Sequence, residues 1–163
     1  MNKIISVILI SFCFLNVASA QKISKWKVTD FKHYADTVKS ELIVINLWAT
    51  FCKPCVEELP DLIRVSEKYN GKLKMIFVSL DAEKDYPRKL NRFIKKHHFK
   101  FNAVWLDETN ADYFCPAFDS SWSGSIPATL FISKKTNARL FIESEMSSDE
   151  FEQNIQSFLL DKK

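Results

Sequence analysis

Two cysteines separated by two residues, Cys52 and Cys55, form the part of this sequence best suited to chemistry. They follow a short apolar run that begins at Leu42 and is rich in β-branched residues, which predicts a strand buried on both faces. Leu59 and Leu62 then occur at helical spacing. The pair therefore lies at a strand-to-helix junction, with Cys52 near the N-terminus of the helix.

This position predicts which cysteine attacks. The first turn of a helix has unpaired N–H groups and a partial positive charge, and both stabilise an anion. A thiolate at Cys52 is such an anion, so we expect Cys52 to be the nucleophile, with Lys53 adding positive charge nearby. Cys55, one turn later, is placed to attack a mixed disulfide on Cys52 and release the product. Pro54 suits the first helical turn, where a missing N–H is harmless.

Two other roles of a C-x-x-C pair are less consistent with this sequence. A zinc site requires a second Cys/His pair at suitable spacing, and the histidines His33, His97 and His98 form no recognisable half-site with another cysteine. A purely structural disulfide rarely occupies a strand-to-helix turn. We therefore favour a redox-active pair made of Cys52 and Cys55.

Two stretches of the sequence resemble a known family. The signature W-A-x-W-C-x-P-C-x-x-E-x-P of the thioredoxin-like TlpA/ResA thiol–disulfide oxidoreductases is similar to residues 48–60, which are WATFCKPCVEELP. The family's G-x-P-x-T strand resembles residues 124–129, which are GSIPAT. The resemblance extends from about Leu42 to the C-terminus, and two separated motifs in the correct order make it specific.

The resemblance implies a thioredoxin-like fold with a central mixed β-sheet flanked by helices. The alternation of predicted strands and helices, by itself, indicates only an α/β fold. In the family, the proline that matches Pro127 is cis and packs opposite the cysteine pair, and the backbone of its neighbour pairs with the bound peptide. The resemblance therefore implies substrate contacts at Trp48, Ile126 and Pro127. A trans proline at the start of a strand is the alternative for Pro127.

Glu58 matches the family glutamate that lies near the cysteines and is implicated in moving protons. A carboxyl group shielded from water near a thiol can have a raised pKa and accept the proton of the resolving cysteine, so Glu58 is a third candidate catalytic residue. The alternative is a surface glutamate that interacts with the helix dipole. Asn46 replaces the buried aspartate of thioredoxin, which shifts proton transfer toward Glu58. Phe51 replaces a tryptophan of the signature and should alter the contact surface.

The first residues have the features of a secretory signal peptide over residues 1–20. Lys3 supplies positive charge, an apolar segment spans residues 4–17, and an A-x-A cleavage site ends at Ala20. Cleavage near Ala20 leaves residues 21–163, about 140 residues, as a single thioredoxin-like domain that is periplasmic or otherwise exported. An uncleaved N-terminal anchor is the alternative.

Charge and cysteine content narrow the function further. Removal of residues 1–20 takes away one positive charge, so the formal net charge at pH 7 falls from +3 to +2, and this near-neutral balance argues against a nucleic-acid partner. Cys115 is the one other cysteine after residue 20, so the sequence has a redox pair rather than a disulfide framework. Cys115 is either a buried apolar residue or a second redox thiol. We expect no cofactor and no metal, since a copper chaperone would need a third soft ligand and neither Met75 nor Met146 is placed beside the pair.

Apolar spacing predicts the remaining elements. They are a helix within residues 26–40 capped by Thr29 or Asp30, a strand over 73–80, a helix over 86–99 with a basic outer face, a strand over 102–106, an antiparallel pair over 130–132 and 139–143, and a helix that starts at Ser147 or Ser148. Residues 109–125 are interpreted as an insertion near Pro127. Aromatic residues in such a segment are more often local core than a binding surface. Because this segment lies beside the active site, our hypothesis is that Phe118 and Trp122 line a groove that binds the partner polypeptide.

Together these features predict an exported thiol–disulfide oxidoreductase that acts as a monomer on protein disulfide and thiol substrates. Family resemblance favours the reductase direction, and in relatives a membrane thiol carrier supplies the electrons. Direction depends on the reduction potential of the pair, so a disulfide-donating oxidase of the same fold is the first alternative. A copper-binding chaperone is the second.

Overall fold

The computed structural model describes residues 23–160. The predicted signal peptide, residues 1–20, lies outside this range and stays a prediction. Within the described range, no helix is both long enough and apolar enough to cross a membrane.

Strands and helices alternate along the chain up to a late hairpin of two strands, as the sequence predicts. The strands are β1 (Ser24–Trp26), β2 (Leu42–Trp48), β3 (Leu73–Ser79), β4 (Ala103–Leu106), β5 (Ala128–Ser133) and β6 (Arg139–Ile142). The helices are α1 (Val28–Thr37), α2 (Lys53–Lys68), α3 (Arg88–Lys96), α4 (Ala111–Phe118) and α5 (Ser148–Leu160), and a short 3₁₀ turn spans Glu83–Asp85.

A single mixed sheet contains all six of these strands, in the order β1-β4-β3-β2-β5-β6. The strands β1, β4, β3 and β2 run parallel to one another, whereas β5 is antiparallel to both β2 and β6. Helices cover both faces of the sheet. This architecture confirms the predicted mixed sheet flanked by helices.

The central strand β2 is buried along its whole length. Its side chains alternate between two hydrophobic clusters, with Leu42 and Val44 on the side of α2 and α5, and Ile43 and Ile45 on the side of α1 and α4. Burying one such aliphatic side chain stabilises the fold by about 1.5–3 kcal/mol. Because both faces of β2 pack against the hydrophobic core, its sequence is a continuous apolar run rather than an alternation of apolar and polar residues.

The long helix α2 places the cysteine pair at the carboxyl end of β2. Its apolar stripe, with Leu59, Leu62 and Val65 fully buried, packs against the sheet as the spacing predicts. Pro54 lies in the first turn, also as predicted. Burial of this stripe fixes the direction of the helix and hence the position of its N-terminus.

The beginning of the described chain differs from the prediction. Trp26, predicted to lie in the first helix, ends β1, whose partner β4 is distant in sequence. The helix α1 begins at Val28 with Lys27 as its N-cap, so neither Thr29 nor Asp30 is the cap. Asp30 instead lies in the first turn, where its carboxylate accepts a hydrogen bond from the Lys27 backbone N–H at 2.7 Å. A three-residue strand has no periodic signal, and only its pairing defines it.

The helix α3 is shorter than the predicted segment 86–99. It begins directly after Pro87, because a proline disfavours helical geometry at the residue before it, here Tyr86. It ends at Lys96, and Leu90 and Ile94 are buried as predicted while the basic side chains are exposed.

The helix α4 has no counterpart among the predicted elements. Its N-cap is Asn110, whose side chain accepts a hydrogen bond from the Asp112 N–H at 3.1 Å. Phe118 is fully buried and stacks on Phe31 of α1, with ring centroids 4.3 Å apart. Trp122 is only 5% exposed and packs edge-on against Phe118. The predicted groove lining by Phe118 and Trp122 is therefore wrong, because both side chains fill the core beneath α1 and α4.

Replacing Phe118 by alanine should lower the free energy of unfolding by about 3–5 kcal/mol, since it leaves a cavity against α1. The matched control is Tyr113→Ala on the same helix, whose side chain is 53% exposed and whose loss should change stability by about 0.5 kcal/mol or less. Urea unfolding of both variants measures the difference. Equal and small losses would show that α4 does not pack as part of the core.

Candidate active site

The cysteine pair lies at the start of α2, where Cys52 is the N-cap residue. The turn from β2 closes with a hydrogen bond from the Cys52 N–H to the Ala49 carbonyl at 3.1 Å. Cys52 and Cys55 form a disulfide, with an S–S distance of 1.99 Å and a Cα–Cα distance of 5.3 Å. The Cys55 backbone N–H donates to Cys52 Sγ at 3.3 Å. The helix N-terminus thus directs a donor at the sulfur that was predicted to be the nucleophile.

The two sulfurs differ in access. Cys52 is 8% exposed, whereas Cys55 is completely buried. An incoming thiol or disulfide can therefore reach Cys52 and not Cys55. This asymmetry agrees with the predicted division into an attacking and a resolving cysteine.

A buried aspartate at the end of β3 holds the turn before the pair. Asp81 accepts a hydrogen bond from the Thr50 hydroxyl at 2.5 Å and another from the Thr50 N–H at 3.1 Å. The Ser79 hydroxyl donates to the same carboxylate at 2.7 Å. Sequence reasoning missed this residue. The available signal was an acidic residue directly after a buried strand, at the edge of the sheet where β2 also ends.

The second motif of the sequence lies against the first, as predicted. The Ile126–Pro127 peptide bond is cis, and the strand β5 begins at the next residue. Because β5 pairs antiparallel with β2, the loop that ends at Pro127 lies next to the cysteines. The Ile126 carbonyl oxygen lies 3.7 Å from Cys52 Sγ. Backbone polar atoms of Ile126 are thus adjacent to the reactive sulfur.

Two tryptophans that were predicted to contact substrate are interior residues. Trp48 is fully buried, and its ring lies 5.9 Å from the rings of both Phe93 and Phe101. As the last residue of β2 it points into the core, so the predicted substrate contact of its side chain is wrong. The indole N–H of Trp122 donates to the Ser125 carbonyl at 2.8 Å. Trp122 therefore supports the loop before Pro127 from inside.

Glu58 lies in a polar pocket one turn after Cys55. Its side chain is 6% exposed, so the surface alternative is wrong. The Asn46 amide donates to Glu58 Oε1 at 2.9 Å, and the Met146 backbone N–H donates to Oε2 at 3.0 Å. The same amide also donates to the Thr129 hydroxyl at 3.1 Å. Asn46, Thr129 and Met146 bring β2, β5 and the start of α5 together around one carboxyl group.

The surroundings of Glu58 shift the pKa of its carboxyl group toward neutral pH. Burial raises the pKa of this carboxyl to about 7, and the nearby charge of Glu145 acts in the same direction. The hydrogen bonds from Met146 and Asn46 lower the pKa but do not outweigh burial. A carboxyl group with such a pKa can accept and return a proton at the pH of most cell compartments. Glu57, in contrast, is exposed and pairs with Lys53 at 3.5 Å.

Of the cysteines in the described range, Cys115 is the one outside the disulfide, and it is buried. Burial raises the pKa of its thiol, and the charges of Glu143 and Asp112 raise it further. These properties favour the interpretation of Cys115 as an apolar core residue over a second redox thiol. Between residues 23 and 160, no three His, Cys, Asp or Glu side chains are grouped to hold a metal ion.

Comparison with known proteins agrees with this geometry. A family profile described as AhpC/TSA family matches residues 17–140. The thioredoxin-like protein YneN of Bacillus subtilis is 26% identical over 86 residues, which are 52% of this chain and 50% of YneN. The thiol-disulfide oxidoreductase ResA of Geobacillus kaustophilus is 23% identical over 134 residues, which are 80% of this chain and 72% of ResA. The chain spans about half the length of several curated relatives that it matches.

Solved structures show the same fold. A thioredoxin-related protein from Neisseria meningitidis serogroup B superposes with a TM-score of 0.66 and 20% sequence identity, over 77% of this chain and 90% of that one. This likeness confirms the thioredoxin-like topology that the sequence alone could reach only through resemblance.

Ionisation of Glu58 should destabilise the folded protein. The folded state keeps the proton up to a pH of about 7, whereas an ordinary carboxyl loses it near 4.5. Stability should therefore be lost as pH rises through this window, by about 3 kcal/mol for a pKa difference of this size. The Glu58→Gln variant should lack this loss and become more stable than the unaltered protein above pH 7.

Urea unfolding of the oxidised protein at pH 4.5, 6 and 8 measures this difference. Glu57→Gln, one residue away and exposed, is the matched control and should follow the unaltered protein at every pH. Parallel stability curves for the unaltered protein and Glu58→Gln would contradict a raised pKa at Glu58.

Proposed function

The chain belongs to the AhpC/TSA family, and from that premise we propose that it is an exported thiol–disulfide oxidoreductase that reduces disulfides in proteins. The observation that carries the proposal is the Cys52–Cys55 disulfide at the N-terminus of α2, with only Cys52 accessible. The match to ResA over most of the chain supports the resemblance to the TlpA/ResA proteins.

Reduction of a substrate proceeds in two exchange steps. The Cys52 thiolate attacks one sulfur of the substrate disulfide, the substrate S–S bond breaks, and its other sulfur leaves as a thiolate. Cys55 then gives up its proton and attacks Cys52 Sγ in the mixed disulfide. The second substrate thiolate leaves, and the pair is left as the disulfide. Two electrons pass from the dithiol to the substrate.

The surrounding groups assist each step. The Cys55 N–H and the N-terminus of α2 stabilise negative charge on Cys52. The backbone of Ile126, 3.7 Å from Cys52 Sγ at its carbonyl, is placed to pair with an extended substrate peptide. Glu58, three residues after Cys55 on the same helix, accepts the proton that Cys55 releases.

Turnover as a reductase requires an electron source outside the chain. We propose a membrane thiol carrier that reduces the pair by the same exchange chemistry, with disulfides of envelope proteins as substrates and the chain acting as a monomer. The oxidase alternative uses the same residues in reverse. The copper-chaperone alternative loses support, because the Met146 thioether lies 3.8 Å from the Asn154 amide on α5 and its backbone N–H is bonded to Glu58.

Cysteine variants test the proposed chemistry. The unaltered protein should accelerate reduction of a peptide disulfide by a small dithiol, and Cys52→Ser should abolish this. Cys55→Ser should accumulate a mixed disulfide with the peptide, which mass spectrometry detects, because the resolving thiol is missing. Cys115→Ser is the matched control and should leave the rate unchanged. Activity retained in Cys52→Ser would refute the assignment.

Export is tested by the mass of the protein recovered from cells. Expression of the full sequence in a bacterium with a cell envelope should give a chain that begins at Gln21, since cleavage is expected after Ala20. An Ala20→Arg variant should keep residues 1–20, because the small-residue site is lost. Recovery of the unaltered protein with residues 1–20 intact in the membrane fraction would favour the anchor instead.

A further inference from the structure

The loop before the cis proline is held by a single carboxylate from outside the sequence motifs. This loop, residues 123–125, connects the α4 region to Ile126, and Glu143 follows the last residue of β6. Glu143 Oε1 accepts a hydrogen bond from the Ser125 N–H at 2.9 Å, and Oε2 accepts one from the Ser123 N–H at 3.2 Å. The Ser123 hydroxyl also donates to Oε1. One side chain thus satisfies two backbone donors and one hydroxyl.

One other hydrogen bond and the backbone conformation of Gly124 restrict the same loop. The indole of buried Trp122 binds the Ser125 carbonyl at 2.8 Å, so both peptide groups of Ser125 are held. Gly124 has a φ of +96°, a backbone conformation that residues other than glycine rarely adopt. A Cβ there would lie 3.7 Å from Cys115 Sγ, which places the buried thiol beneath the loop. The loop therefore has little freedom as long as Glu143 holds its outer side.

The position of this loop determines the position of Ile126. Ser125 is the residue directly before Ile126, whose carbonyl oxygen is 3.7 Å from Cys52 Sγ. A hydrogen bond from the Ser123 hydroxyl lowers the pKa of Glu143, so this carboxylate is charged at neutral pH and its hydrogen bonds are the stronger charge-assisted kind. A displacement at Ser125 passes to Ile126 through a single peptide unit.

We propose that Glu143 is a positioning residue for peptide substrates, because it holds residues 123–125 so that the backbone of Ile126 faces a peptide bound at Cys52. The inference rests on the proposed function. Glu143 acts through the loop and takes no part in the exchange of sulfur bonds. Its effect should therefore be large for substrates that pair with the backbone and absent for small disulfides that reach Cys52 alone.

The test compares two substrates in the full chain. Glu143→Gln keeps the size of the side chain but replaces one acceptor oxygen with an N–H₂ group that faces the backbone donors. For a disulfide-bonded peptide, its KM should rise about tenfold with little change in kcat. For a small aromatic disulfide, its rate should equal that of the unaltered protein. Glu41→Gln, an exposed glutamate before β2, is the matched control and should change neither rate.

A second variant guards against misfolding of Glu143→Gln. Ser123→Ala removes one hydroxyl donor and keeps the carboxylate with both backbone bonds, so its KM for the peptide should rise about threefold. The reduction potential of the pair should be unchanged in both variants.

Three results would overturn the inference. One is an unchanged KM for the peptide in both variants, and another is an equal loss of rate with the peptide and the small disulfide. The third is an absence of turnover in the unaltered protein, which would refute the proposed function itself and this inference with it.

Discussion

Burial of β2 on both faces is the constraint on which the site depends. Successive side chains of β2 pack into two different hydrophobic clusters. The strand therefore cannot slide along its axis or rotate about it without exposing apolar side chains to water. Its end at Trp48 fixes the turn that leads to Cys52, and Asp81 at the end of the neighbouring β3 locks that turn through Thr50. Pairing of β2 with β5 brings Pro127 to the same edge.

Burial of Glu58 lowers the stability of the folded protein when this carboxyl group is ionised, but it also gives the group a pKa suited to proton transfer. A carboxyl group that is nearly excluded from water is unfavourable when ionised, and the donors on Asn46 and Met146 offset only part of this cost. The same burial brings the pKa to about 7, where the group can take a proton from a thiol and return it. Asn46 is neutral and donates to Glu58, so it does not compete with this carboxyl group for the proton.

Local patterns in the sequence predicted β2, α2 and the cysteine pair, and the family resemblance added the cis Pro127 and Glu58. What the sequence could not supply depends on contacts between distant residues. Thr50 and Asp81 are 31 positions apart, and Ser125 and Glu143 are 18 apart, so no local pattern relates them. The family resemblance implied a substrate contact at Trp48, and Trp122 was expected to line a groove because of its place in the sequence beside the Pro127 loop. In the structure both side chains are instead buried in the hydrophobic core.

The central claim is that Cys52 and Cys55 form a reversible dithiol that donates electrons. It is tested most directly by the reduction potential of the pair, measured by equilibration with defined thiol–disulfide buffers in a chain that carries Cys115→Ser. A reductase should have a value near that of thioredoxin, about −270 mV. A value close to about −120 mV would identify a disulfide donor, and the absence of a reversible two-electron couple would contradict the redox assignment altogether.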